Sequence, residues 1–327
     1  MGSIVIYRGS NCQGFMAGEA RGRQKPGLKV WFLEMRAPFF TATIIPTVFG
    51  AAFAWRESSL FDAPLFLLTL LGVLCLHAGT NIVNDYFDYK SGTDKINKNR
   101  SPFNGGSPFV VEGILTPKQI YKAAMTFFAI GAVIGLVLAL STSLLVIPLG
   151  VLGIGLGYFY TAPKVHLAAR GVGELAVGLG FGPLIVAGTY LVMTGELAWL
   201  PFVAGLPIGL LIGLVLFINE FPDAEADGEV GKSHWVVRMG LAKAATWYTG
   251  LMALTFASII MLWVFGIYPF MALIGLLPAA IAVGAISTTM KNHDRFGELV
   301  RAQAKTVQIH ALVGALLIVG LIASELL

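Results

Sequence analysis

Two dense groupings of oxygen ligands interrupt an otherwise apolar chain: Asn81-Ile82-Val83-Asn84-Asp85-Tyr86-Phe87-Asp88 and Asn219-Glu220-Phe221-Pro222-Asp223-Ala224-Glu225-Ala226-Asp227. Each closes a long hydrophobic segment, where ionisable side chains are costly and usually functional. At about 100° per residue, Asn81, Asn84, Asp85 and Asp88 fall within roughly 100° of one helical face, and His77 joins them one turn earlier. Asn219, Asp223 and Asp227 share a face of the second segment while Glu225 points away, and Pro222 is expected to bend or unwind the helix there. Converging carboxylates repel one another unless a cation lies between them. Oxygen-only ligands favour Mg²⁺, which typically combines a few carboxylates with substrate phosphate oxygens. A phosphorylated substrate follows, and the neighbouring loops supply Lys90, Arg100, Lys164, Arg170 and Lys232 for a diphosphate. The turn Asn104-Gly105-Gly106-Ser107 offers backbone N–H groups that could approach an anion.

The elements that must position these groups are membrane helices. The chain is 56% hydrophobic and 12% charged, with a mean hydropathy of +0.78, far from a soluble average. Nine apolar stretches are expected to span: 37–55, 64–88, 120–140, 143–161, 172–193, 200–219, 244–265, 268–289 and 306–324. With the N-terminus inside, only Arg56 of the 22 Lys and Arg falls on the far side, as the positive-inside rule requires. Both acidic clusters then face the cytosol and the C-terminus lies outside. Each cluster closes an even-numbered span and contains Asn-x-x-x-Asp, which suggests two pseudo-repeated four-helix halves around a central cavity. Residues 1–28, with Arg8, Arg21, Arg23 and Lys25, read as a loose basic tail ahead of a single domain over 29–327. Cys12 and Cys75 cannot build a disulfide framework, and Cys75 reads as a small buried hydrophobe.

The motifs resemble those of the UbiA superfamily of intramembrane prenyltransferases. The likeness rests on Asn81 to Asp88 followed by Tyr89-Lys90-Ser91-Gly92-Thr93-Asp94, and on Asp223 to Asp227 followed by Gly231-Lys232 and Val236-Val237-Arg238-Met239-Gly240. Gly157-Tyr158-Phe159-Tyr160-Thr161-Ala162-Pro163 and Arg170-Gly171-Val172-Gly173-Glu174-Leu175 are similar to the 1,4-dihydroxy-2-naphthoate polyprenyltransferase branch, which serves menaquinone biosynthesis. The three-residue step from Asp85 to Asp88 differs from the four-residue step of the ubiquinone branch, and Ser233-His234-Trp235 departs from the expected pattern after Gly-Lys. The resemblance implies an enzyme in a prokaryotic cell membrane, with its active site on the cytosolic side and no nucleic-acid partner. Its substrates would be a polyprenyl diphosphate donor and an aromatic acceptor.

Under that resemblance Asp85, Asp88, Asp223 and Asp227 are catalytic and, with Asn81 and Asn84, hold Mg²⁺. Arg36, Arg100, Lys164 and Lys232 bind diphosphate. Phe87, Tyr158, Phe159 and Tyr160 would face an allylic cation, with His234 near the acceptor. Other acceptors, benzoate, homogentisate or porphyrin-like rings, stay open. An ion-coupled transporter predicts polar residues at the midplane, which spans such as 143–157 lack. The Asp-Gly-x-x-Ala-Arg signature of CDP-alcohol phosphotransferases is missing after Asp227-Gly228-Glu229.

The loop charges predict that cysteines substituted at Lys98 and Lys291 react with an impermeant thiol reagent only after the membrane is opened. A cysteine at Glu325 should react in intact cells, and its protection there would contradict the orientation.

Overall fold

Helix boundaries follow local chemistry. Asp62 accepts a hydrogen bond from Leu65 N (2.9 Å) ahead of one apolar run. Thr116 forms a reciprocal capping box with Gln119 ahead of another, with Pro117 at the first helical position. The computed structural model of the protein describes residues 26–326, and all regular structure among them is helical. In chain order the α-helices are α1 (Leu28–Glu34), α2 (Thr41–Ser58), α3 (Ala63–Ser91), α4 (Thr93–Ile96), α5 (Pro117–Ser141), α6 (Val146–Phe159) and α7 (Gly173–Leu179). There follow α8 (Ile185–Thr194), α9 (Leu200–Ala204), α10 (Leu206–Glu229), α11 (Trp235–Met239), α12 (Leu241–Val264), α13 (Ala279–Asn292) and α14 (Phe296–Leu326). The basic tail residues and Cys12 lie outside the described residues.

Among the described residues eight helical stretches are long and apolar enough to cross a membrane. The expected fourth span is shorter than anticipated, because regular helix covers only the 14 residues of α6. That is about 21 Å of rise, less than a bilayer core of about 30 Å. Pro163 restricts the backbone just beyond α6 and helps to end it. Residues Gly180–Leu184 form a π-helical turn that joins α7 to α8 within one span. Pro183 lies in this turn, which gives a local cause for the altered hydrogen bonding.

Pro222 does not unwind its segment: α10 runs unbroken from Leu206 to Glu229, which corrects the expected unwinding. A proline removes one backbone donor, and here buried Phe221, Pro222 and Ala226 hold the turn in place. Glu225 is exposed, off the face that carries Asp223 and Asp227.

Two hydrophobic cores flank the path between the clusters. The larger joins α10, α12, α13 and α14 with Phe49 and Phe53 of α2 and Val186 of α8. A second packs Ile82 and Val83 of α3 against Ile120, Ala124 and Phe128 of α5. The small residues of the middle spans have divided uses. Gly150, Gly153, Gly157 and Gly180 line the cavity between the cores. Gly182 instead packs against α10, where a Cβ would come within 2.4 Å of Gly209 Cα. Gly209 is as tight, its Cβ falling 2.4 Å from Gly178 O.

Backbone cannot retreat as a flexible side chain can. Gly182→Ala and Gly209→Ala should each destabilise by about 1–3 kcal/mol, the usual cost of overpacking, read as earlier thermal unfolding in detergent. Gly150→Ala, whose Cβ would meet nothing within 4 Å, should leave the transition unchanged.

Candidate active site

The two acidic clusters meet at one end of the helix assembly. Asp88 is on the last turns of α3 and Asp227 near the end of α10, and Lys232 bridges them. Its Nζ lies 2.9 Å from Asp88 Oδ1 and 3.1 Å from Asp227 Oδ1. Burial works against the Lys232 ammonium, but the carboxylates of Asp88 and Asp227 outweigh it and raise its pKa. Lys232 therefore stays charged.

Asp85 is fully buried and pairs with Arg36, while Ser107 N donates to its second oxygen at 3.3 Å. Arg36 reaches it from the junction of α1 and α2, where its backbone adopts φ +53°. Such a left-handed non-glycine residue is held only by its surroundings. Asp223 accepts from Asn97 Nδ2 (2.7 Å), Asn104 Nδ2 (2.5 Å) and Gly105 N (3.2 Å). The Gly-rich turn thus directs its N–H groups at the protein's own carboxylates. Gly106, at φ +69°, allows that approach, since a Cβ there would sit 3.0 Å from Asp94 Oδ1 and 3.1 Å from Asp85 Oδ1.

The asparagines of both clusters line a cavity of about 540 Å³ that runs between α3, α6, α8 and α10, while Asp85, Asp88, Asp223 and Asp227 lie outside its lining. Its walls are mainly apolar. Arg36, Asn81, Asn84, Tyr160 and Asn219 stand in its lining together with His77, Phe39, Phe103 and Phe181. Asn81 donates to Met35 O (3.0 Å). The carbonyl oxygens of Asn84 and Asn219 are buried without a hydrogen-bond partner. Buried polar atoms are ordinarily satisfied, and two free oxygen ligands beside four carboxylates fit a hard divalent cation.

The remaining expected contacts are dispersed. Arg100 donates to Asp94 O (2.5 Å) and stands 3.8 Å from Asp94 Oδ1, so its charge serves the loop carboxylate. Lys164 is exposed in a left-handed turn, φ +80°. Phe87 and Tyr158 pack edge to face at 5.8 Å, and Tyr158 lies 6.4 Å from Phe128. They and the exposed Phe159 lie outside the cavity lining, contrary to expectation. Aromatic faces come instead from Phe39, Phe103 and Phe181, on three separate elements. Tyr160 does line the cavity. His234 sits behind Asp227, with Nε2 3.2 Å from Asp227 Oδ2.

Sequence reading overlooked three groups. Burial and the Lys232 charge lower the pKa of His166, whose Nε2 is buried without a partner. Asp94 is pushed up to about 8 by burial and by Asp85. Glu34 accepts from Ser107 Oγ, and burial and the Asp85 charge push its carboxyl up to about 8.

A model of the UbiA prenyltransferase family matches residues 43–312. The 1,4-dihydroxy-2-naphthoate octaprenyltransferase of Bacillus subtilis is 27% identical over 92% of this chain and 94% of its own. The chloroplastic 2-carboxy-1,4-naphthoquinone phytyltransferase of Arabidopsis thaliana is 28% identical over 92% and 78%, respectively. Among solved structures, a UbiA homolog from Archaeoglobus fulgidus bound to GPP and Mg²⁺ superposes with a TM-score of 0.60. It is 16% identical, and the match covers 88% of this chain and 99% of that one.

Glu34 carries a pH signature. Its folded pKa, about 8, lies above the unfolded value of 4.5, so its protonated form favours folding. That contribution is present below 4.5 and lost as pH rises towards 8. Glu34→Gln should therefore flatten the decline in thermal stability between these values, and an unaltered slope would contradict the assignment.

Proposed function

The chain belongs to the UbiA prenyltransferase family, and from that premise we propose that it transfers a polyprenyl group from polyprenyl diphosphate to 1,4-dihydroxy-2-naphthoate in menaquinone biosynthesis. The proposal includes nine membrane helices, α6 among them, with the N-terminus and the acidic clusters at the cytosolic side of a prokaryotic membrane and the C-terminus outside. One observation carries it: a largely apolar cavity reaches the asparagines that open both acidic clusters, and there Asn84 and Asn219 present unpartnered oxygens. A prenyl chain fits the first environment and a cation-bound diphosphate the second. Two relatives whose names specify naphthalene-type acceptors with different prenyl donors support the acceptor class and leave chain length open.

Asp85, Asp88, Asp223 and Asp227, with Asn84 and Asn219, would hold Mg²⁺, which would neutralise the carboxylates and stabilise the departing diphosphate. Arg36, which lines the cavity, and Lys232, buried between Asp88 and Asp227, would donate to the diphosphate oxygens. Asn81, held by Met35 O, would support this rim without giving up that bond. The apolar walls exclude water while the allylic C–O bond breaks, and Phe39, Phe103 and Phe181 present ring faces to the carbocation. The ring carbon that bears the carboxylate attacks the carbocation, and the C–COO⁻ bond then breaks with its electron pair returning to the ring, so that CO₂ leaves and no ring proton is exchanged.

Purified protein given labelled polyprenyl diphosphate and a panel of acceptors tests the reading. Product should form with 1,4-dihydroxy-2-naphthoate and not with 4-hydroxybenzoate or homogentisate, and EDTA should abolish it. Asp223→Ala should abolish turnover in a folded protein. Lys232→Gln removes charge-assisted hydrogen bonds worth about 1.5–3 kcal/mol, which should raise the donor KM roughly ten- to a hundredfold with little change for the acceptor. Turnover in EDTA, or exclusive use of 4-hydroxybenzoate, would overturn the proposal.

A further inference from the structure

Behind the second acidic cluster lies a group of side chains that the transfer reaction leaves unused. Glu174 opens α7, Glu220 is one turn before Asp223 on α10, and His234 ends the loop between α10 and α11. One ligand atom from each of the three lies within 4.8 Å of the others, and all three residues are buried. Relative exposures of 6% for Glu174, 8% for Glu220 and 2% for His234 leave water little access to offset their charges. Glu174 Oε1 is fixed by Trp235 N at 2.7 Å.

Four further polar atoms of the group are unsatisfied. Glu174 Oε2, Glu220 Oε2 and both ring nitrogens of His234 are buried with no hydrogen-bond partner. His234 Nδ1 stands 3.4 Å from Glu220 Oε2, which puts a nitrogen and a carboxylate oxygen side by side without the geometry of a hydrogen bond. Among the described residues His234 is the one basic group within 4.0 Å of either glutamate. Two buried carboxylates facing one imidazole are stabilised by a positive centre among them.

We propose that Glu174, Glu220 and His234 bind a divalent transition-metal ion of the Mn²⁺ or Zn²⁺ class, at a site distinct from the Asp-lined cation site. An imidazole ligand with two carboxylates selects these ions over Mg²⁺, and three protein ligands leave a position for water. Coordination through Nδ1 leaves Nε2 facing Asp227 Oδ2, 3.2 Å away though not aligned for a hydrogen bond, and a small turn of the ring on binding the ion would let Nε2–H donate to it. A metal-bound histidine commonly gives its other ring N–H to a carboxylate and so fixes both groups. The ion would then lock α7, α10 and the loop carrying Lys232 into one unit and hold Asp227 in position. This inference does not depend on the identity of the acceptor or on turnover.

Pulsed electron paramagnetic resonance tests it on full-length, tag-free protein in detergent, stripped of metal and reloaded with Mn²⁺ alone. The Asp-lined site offers oxygen ligands only, so nitrogen coupling to Mn²⁺ reports the histidine site. Coupling should be present in the wild type, persist in Asp85→Asn, and be lost in Glu174→Gln and Glu220→Gln, either of which decides the matter if the other fails to fold. Absence of coupling in the wild type, or coupling that survives a folded Gln variant, would overturn the proposal. Loss in Asp85→Asn would do so too, because the ion would then belong to the Asp-lined site.

Discussion

Charge balance among buried carboxylates is the constraint on which the rest of this structure depends. Asp85, Asp88, Asp223 and Asp227 lie at the ends of two apolar helices, where an unpaired carboxylate would cost several kcal/mol. Lys232 lies between Asp88 and Asp227, Arg36 pairs with Asp85, and amide groups of the loop after α4 occupy Asp223. Loops that could otherwise move are thereby tied to both helices. The unusual backbone of Arg36 and the continuity of α10 through Pro222 belong to the same arrangement.

The second constraint is the division between polar rim and apolar cavity. Close contact of Gly178, Gly182 and Gly209 brings the span carrying Phe181 against α10. Other glycines leave space along α6, so the same residue type closes one interface and opens another. An apolar wall that meets a charged rim within one cavity suits a ligand with a charged head and a hydrocarbon tail.

Much of this organisation is legible in the residue pattern. Eight of the nine apolar stretches coincide with long helical stretches, because burial or lipid exposure of a whole segment needs only composition and length. The shared face of Asn81, Asn84, Asp85 and Asp88 follows from helical periodicity alone. The aromatic wall is illegible, since Phe39, Phe103 and Phe181 converge from elements far apart in sequence. Phe87 was accessible to a stricter argument, because two residues after Asp85 it lies about 200° away around the helix. The N–H groups of Gly105 and Ser107 do meet anions, but these are Asp223 and Asp85, a tertiary pairing that no local spacing reveals. Glu220 is hidden beside the motif residues, and only the folded positions of Glu174 and His234 single it out.

The central claim is that both acidic clusters form one cation-dependent diphosphate site. Calorimetric titration with a non-reactive prenyl thiodiphosphate measures this without turnover. The account predicts tight binding with Mg²⁺, and at least a hundredfold weaker binding when Mg²⁺ is omitted or when either Asp88 or Asp223 is changed to Asn. Equal affinity with and without Mg²⁺, or loss on altering only one cluster, would contradict it.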